Sequence, residues 1–119
     1  MAAKDDLGRA GEERAVQHLT SSGYLVLDRN WRCPQGELDI VARDGDALCF
    51  IEVKTRRGHG FGHPFEAVDE RKRRRLWRLA YAWVNEHQDA AAGTMRIDVI
   101  GIVGPVPATG ALEHLVDLR

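Results

Sequence analysis

Apolar positions recur at helical spacing from residue 7 to residue 22. At about 100° per residue, Gly11, Ala15, Val16 and Leu19 fall on one side. Glu12 lies in the middle of that side and Glu13 at its edge. Ser21-Ser22-Gly23 should end the helix, with Gly23 in the left-handed C-cap conformation. Tyr24 to Leu27 reads as a short buried strand, and residues 29–36 as an irregular connection. Two runs with a period of two follow, 37–43 and 48–55, split by Asp44-Gly45-Asp46-Ala47, whose Gly-Asp centre suits a tight hairpin turn. Residues 56–65 are polar and glycine-rich and read as a mobile loop. The longest helix is predicted over 66–88, with Val68, Leu76, Leu79, Ala80 and Trp83 on its apolar face. Residues 96–102 form another buried strand, Gly104-Pro105-Val106-Pro107 breaks it, and 112–118 can add an edge strand. The order αβββαβ, with that further edge strand, predicts an α/β fold in which a central mixed β-sheet is flanked by helices. The length fits a single domain over 1–119, with 1–5 and 104–111 irregular.

The hairpin places charge where apolar groups belong. Along the first strand Glu37 and Asp39 share a face with Val41, while Leu38, Ile40 and Ala42 point the other way. Along the second, Glu52 and Lys54 share a face with Phe50. A turn centred on Gly45-Asp46 sets Asp39 opposite Glu52 and Glu37 opposite Lys54, with Cβ atoms ~5 Å apart. Two carboxylates that close repel, and a hard divalent cation removes the conflict. Lys54 is then placed to orient a water or to stabilise phosphoryl charge. The competing reading is a solvated strand face with cross-strand ion pairs. Against it stand Phe50 and Val41 on the charged face, and Glu12 in an apolar helical stripe where a lone carboxylate is costly.

Net charge is −1, which neither favours nor excludes nucleic acid, but residues 71–78 concentrate six basic side chains within one helix. Arg71, Arg74, Arg75 and Arg78 form a face that either tracks a phosphate backbone or is simply solvated. Lys72 projects from the apolar stripe, either reaching toward a scissile phosphate or snorkelling. Glu37 either orients Lys54 or serves as an ion-pair partner. Asp98, between Ile97 and Val99, reads as a structural hydrogen-bonding residue in preference to a metal ligand. Trp31 and Trp77 could stack on bases, with packing the favoured role. His59 and His63 lack nearby cysteine partners for zinc, so their loop reads as a lid that orders on nucleic acid. Cys33 and Cys49 show neither ligand spacing nor a disulfide framework, as expected of a cytoplasmic protein. With no signal-like opening and no apolar run of ~20 residues, no membrane association is expected.

Several motifs together carry a resemblance. They are G-x-x-G-E from Gly8 to Glu12, R-N-W-R at 29–32, G-E-L-D at 36–39, F-I-E-V-K-T-R at 50–56, F-G-x-P at 61–64, Lys72, and R-I-D-V-I at 96–100. In order and spacing they resemble the YraN family (UPF0102), with Leu38 where isoleucine is commoner. The resemblance implies a restriction-endonuclease-like PD-(D/E)xK fold, similar to archaeal Holliday junction resolvases. It implies a Mg²⁺- or Mn²⁺-dependent endonuclease acting on DNA, branched or otherwise structured. Asp39, Glu52 and Glu12 would hold metal, and Lys54 would complete the catalytic set. Arg56, Lys72, Arg71, Arg75 and Arg78 would contact nucleic acid, with Glu37 supporting Lys54. A symmetric junction would suit a homodimer. The alternative is a nucleic-acid-binding module with a vestigial site.

Overall fold

A computed structural model describes residues 3–58, 60 and 62–118, with the first three known only as helical backbone. Its elements are α1 (Ala3–Ser21), β1 (Leu25–Cys33), β2 (Gly36–Asp44), β3 (Ala47–Arg56), α2 (Glu70–Glu86), β4 (Thr94–Val103) and β5 (Ala111–Leu115). Single 3₁₀ turns cover Pro64–Ala67 and Gln88–Ala90. The five strands form one sheet in the order β1-β2-β3-β4-β5. β4 runs parallel to β3, and every other pairing is antiparallel. This five-stranded mixed sheet flanked by helices is a restriction-endonuclease-like α/β fold. No helix among the described residues is long and apolar enough to cross a membrane.

The core splits between the two faces of the sheet. Ala15 and Leu19 of α1 pack on Ile40, Ala42, Cys49, Ile51, Ile100 and Ile102. Leu76, Leu79, Ala80 and Trp83 of α2 pack on Leu38, Val41, Leu48, Phe50 and Ile97. α1 ends as expected: Gly23 has φ +90°, Tyr24 N donates to Leu19 O (2.9 Å) and Gly23 N donates to Thr20 O (3.1 Å).

Four expectations need correction. Residues 29–33 are strand, not an irregular connection, because β1 continues to Cys33 and pairs with β2 up to Cys33↔Gly36. β1 is also a half-exposed edge strand, with Leu25 62% exposed and a bulge between Val26 and Asp28. α1 begins by Ala3, inside the stretch expected to be irregular. α2 begins at Glu70: Val68 lies in phase with the helical stripe, but the Asp69 carboxylate caps Lys72 N at 2.9 Å and starts the helix there.

The stretch from 62 to 67 is packed in place. Pro64 is buried, His63 Nδ1 accepts from Phe65 N (3.1 Å), and His63 Nε2 lies 2.8 Å from Glu113 Oε1 on β5. His59 and Phe61 lie outside the described residues.

Candidate active site

The β2–β3 register follows the two-residue turn, with Asp44↔Ala47 through Ile40↔Ile51 paired as the sequence predicts. The recorded ladder ends at Ile40↔Ile51. At the next position β3's Val53 N–H donates to Asp39 Oδ2 at 2.8 Å instead of to a β2 carbonyl. Asp39 therefore fills the fork where the two strands part. Alternation also fails here. Leu38 packs on the α2 side with Val41, against the expectation that it shares a face with Ile40 and Ala42. The opposing strand turns at the same level, where Asn30 has φ 53°. Asp28 bonds Trp83 on the α2 side, whereas Arg29 reaches Glu13 and Asn30 reaches Glu12 on the α1 side.

Asp39 and Glu52 lie within hydrogen-bonding reach of one another. Glu52 is only 5% exposed. Burial, and then the neighbouring Glu52 charge, push the Asp39 carboxyl well above the usual carboxylate range. Burial also acts upward on Glu52, but the neighbouring Asp39 carboxyl and the Lys72 ammonium outweigh it and draw the Glu52 carboxyl down. The two carboxyls are thus pushed in opposite directions, Asp39 up and Glu52 down. Lys72 Nζ stands 2.9 Å from Glu52 Oε2. That approach lies off the hydrogen-bond direction, so Oε2 is buried with its acceptor capacity unused. Lys54 is half-buried, and its charge is felt at Glu52.

Glu12 enters from α1. A Cβ at Gly11 would lie 2.0 Å from Thr55 Oγ1, so glycine is what lets this turn of helix sit against β3. Burial raises the Glu12 carboxyl, as do the Glu37 and Glu52 charges, while the Asn30 amide and Arg29 pull it down. Glu12 therefore senses the pair without joining it. Among the described residues no three His, Cys, Asp or Glu side chains gather as a metal-holding set. Two adjacent carboxylates with a spare buried oxygen still fit Mg²⁺ or Mn²⁺, because Mg²⁺ is commonly held by one or two carboxylates with waters and phosphate oxygens completing the shell.

Glu37 is held by Arg32, its cross-strand neighbour on β1, so of the two roles open to it the ion pair is the one seen, with a partner other than Lys54. Arg71, Lys72, Arg75 and Arg78 line one shallow depression beside α2. Arg75 also lies over Gly36 and borders a second depression at the β1–β2 turn. Arg74 is drawn off to Glu70 at 2.8 Å. Arg56 is half-buried, with Nε enclosed and lacking a hydrogen-bond partner. Trp31 and Trp77 pack against the α2-side core. Asn30 escaped the sequence reading, although asparagine is a residue that tolerates positive φ.

Asp98 occupies a second buried carboxylate position, on the α1 side of β4. Its oxygens accept from Arg96 Nε (2.9 Å) and Nη2 (3.1 Å), Tyr24 Oη (3.2 Å) and Asp117 N (3.0 Å), and Oδ2 lies 2.8 Å from His114 Nε2. Burial acts upward on this carboxyl, but His114, Arg96 and the Asp117 amide draw it down to about 2. It is a structural hub, as the sequence suggests.

Residues 11–102, a span that includes Glu12, Asp39, Glu52, Lys54 and Lys72, match the family model described as "Uncharacterised protein family UPF0102". The UPF0102 protein of Paenarthrobacter aurescens (strain TC1) is 51% identical over 115 residues, covering 97% of this chain and 94% of that one. The UPF0102 protein of Streptomyces griseus is 50% identical over 114 residues, with 96% of each chain covered. The UPF0102 protein of Acidothermus cellulolyticus is 53% identical over 111 residues, covering 86% of this chain and 84% of that one. With similarity that runs nearly end to end, the chain belongs to the UPF0102 family.

Proposed function

We propose that this chain is a metal-dependent nuclease that hydrolyses phosphodiester bonds in DNA, with branched or otherwise structured DNA as its substrate. The observation that carries the reading is that Lys72 touches Glu52 and also lines the basic depression, so the carboxylate pair and the phosphate-binding surface adjoin. Mg²⁺ or Mn²⁺ held by Asp39 and Glu52, with Glu12 alongside, would supply Lewis acidity at the phosphoryl oxygen and a readily ionised water. Lys54 orients the attacking water and stabilises negative charge as it builds on the phosphoryl oxygens. Arg71, Arg75, Arg78 and Arg56 grip the backbone, each phosphate contact adding to the salt dependence of binding. In a homodimer two such sites could face a symmetric junction.

The test is incubation of the protein with branched, duplex and single-stranded DNA, and with RNA, in Mg²⁺ and in Mn²⁺. Cleavage of branched DNA that falls at least ~100-fold in Lys54→Ala is the expected result. No cleavage of any substrate, or equal cleavage by Lys54→Ala, overturns it. A second reading, a nucleic-acid-binding module with an inactive site, draws on Lys72 already neutralising Glu52 and on the lack of a three-ligand set among the described residues. It expects salt-sensitive DNA binding that survives Asp39→Ala, with no cleavage.

A further inference from the structure

Lys72 belongs to two environments at once. Its backbone is fixed: Asp69 caps Lys72 N at 2.9 Å, which sets the residue in the first turn of α2. Among the described residues its ammonium is held by the 2.9 Å approach to Glu52 Oε2, which is not aligned as a hydrogen bond. A lysine head is a compact point charge on a four-carbon stem, so it can swing while its Cα stays put. The other surface this residue lines is the depression shared with Arg71, Arg75 and Arg78. These arginines are exposed, whereas the Glu52 side chain is 6% exposed and the Lys72 side chain 25%.

We propose that Lys72 is a built-in counter-cation of the Asp39–Glu52 pair, which a divalent ion displaces into the basic depression, so that metal and phosphate backbone strengthen each other's binding. This rests on the nuclease reading of the site. A divalent ion at Glu52 and an ammonium at the same oxygen repel strongly in a poorly solvated pocket. The side chain yields because its stem can rotate, and the depression gives its head a solvated place among phosphate-binding groups. There its charge, freed from Glu52, joins those of Arg71, Arg75 and Arg78, with the Asp69 carboxylate also in the lining. Reciprocity follows from linkage: if the metal raises affinity for the backbone by this route, the backbone raises affinity for the metal by the same factor. The idle protein then resists loose divalent ions, and the site fills when nucleic acid arrives.

Mn²⁺ binding measured by calorimetry on wild type, Lys72→Gln and Lys72→Arg tests this directly. Without nucleic acid, Lys72→Gln is expected to bind Mn²⁺ about 10- to 100-fold more tightly than wild type, the effect of removing one nearby charge. Lys72→Arg should stay close to wild type. A cleavage-resistant phosphorothioate duplex should tighten Mn²⁺ binding in wild type and do so much less in Lys72→Gln. Equal Mn²⁺ affinity in wild type and Lys72→Gln overturns this proposal and leaves the nuclease reading standing. No Mn²⁺ binding by either protein overturns both. In case Lys72→Gln does not fold, the wild type supplies its own test. The side-chain ammonium resonance of Lys72 should move on saturation with Mg²⁺, and an unmoved resonance with Mg²⁺ bound overturns the proposal.

Discussion

Two buried carboxylate sites face opposite sides of the same sheet, and they are finished differently. Asp98 is fully buried, and five donor contacts surround its two oxygens. Glu52 is almost as buried, yet one of its oxygens has no hydrogen-bond partner, and its nearest acidic neighbour is forced to keep a proton. Burying a carboxylate carries much the same desolvation cost in either place. At Asp98 the fold offsets that cost with Arg96, His114, Tyr24 and the Asp117 amide. At Asp39 and Glu52 the offset is left incomplete, with a proton and a loosely aligned ammonium standing in. The fold satisfies one carboxylate fully and leaves the other pair wanting, and the proposed metal site draws on that difference.

The largest effect should come from breaking the satisfied site. Asp98→Ala leaves the Arg96 guanidinium, whose side chain is 16% exposed, without its main partner, and it orphans three further donors. Unpairing a buried charge costs ~3–5 kcal/mol, so Tm should fall by roughly 10–20 °C. Asp39→Asn keeps an oxygen for Val53 N–H and removes the like-charge conflict, so its stability should stay within ~1 kcal/mol of wild type or exceed it. Thermal melts of the two variants decide the point. If Asp39→Asn falls as far as Asp98→Ala, the two sites are not differently finished.

Acidity sharpens the contrast, because the two sites respond with opposite sign. The folded Asp98 carboxyl titrates at about 2, below its ordinary 3.8. Its contribution of ~2 kcal/mol is therefore present above about pH 4 and is lost as pH falls from there toward 2. The folded Asp39 carboxyl titrates above its ordinary 3.8, chiefly through burial and then through Glu52. Its contribution is present below about pH 4 and is lost as pH rises through the folded value. Denaturant melts in chelator should show Asp39→Asn gaining on wild type steadily from about pH 4 to about pH 8. Parallel curves would sink this account of the pair.

The close contact of α1 with β3 at Gly11 and Thr55 lies beside the unfinished site. Gly11→Ala puts a methyl 2.0 Å from Thr55 Oγ1, and the overpacking should cost ~1–3 kcal/mol. Thr55→Ala in the same chain removes the oxygen but leaves Thr55's own Cβ position 3.1 Å away, so it should recover most of the loss. A double-mutant cycle measures the coupling, and additive losses would show that the helix does not depend on this contact.

Much of the unfinished site is legible in the chain because it depends on local geometry. A two-residue turn dictates which positions of β2 and β3 face each other as far as Ile40↔Ile51, and it carries Asp39 to the level of Glu52, where the strands part. The angle of Glu12 among Ala15, Val16 and Leu19 points it inward before any contact is known. Other parts depend on tertiary docking, which has no local signature. Glu52 and Lys72 meet only because α2 lies across the sheet. The strand character of Arg29 to Cys33 is hidden because β1 is a half-exposed edge whose alternation reverses once, between Arg29 and Asn30. The same reversal moves Leu38 to the α2 side, which a strict period of two cannot foresee.

Asn30 makes the finest test, since it is where that reversal touches the site. Its φ of 53° suits asparagine or glycine, and its amide bonds Glu12. Asn30→Ala should lose ~1–2 kcal/mol from strain and the missing bond, whereas Asn30→Gly should stay within about 1 kcal/mol of wild type. Both variants remove a contact that draws the Glu12 carboxyl down against burial and the Glu37 and Glu52 charges. Carboxyl-carbon NMR titration should therefore place the Glu12 midpoint higher in both variants, with Asp98 unmoved because its partners lie on other elements. A Glu12 midpoint that stays put in Asn30→Gly would mean that the kink in β1 shapes the strand without holding the glutamate.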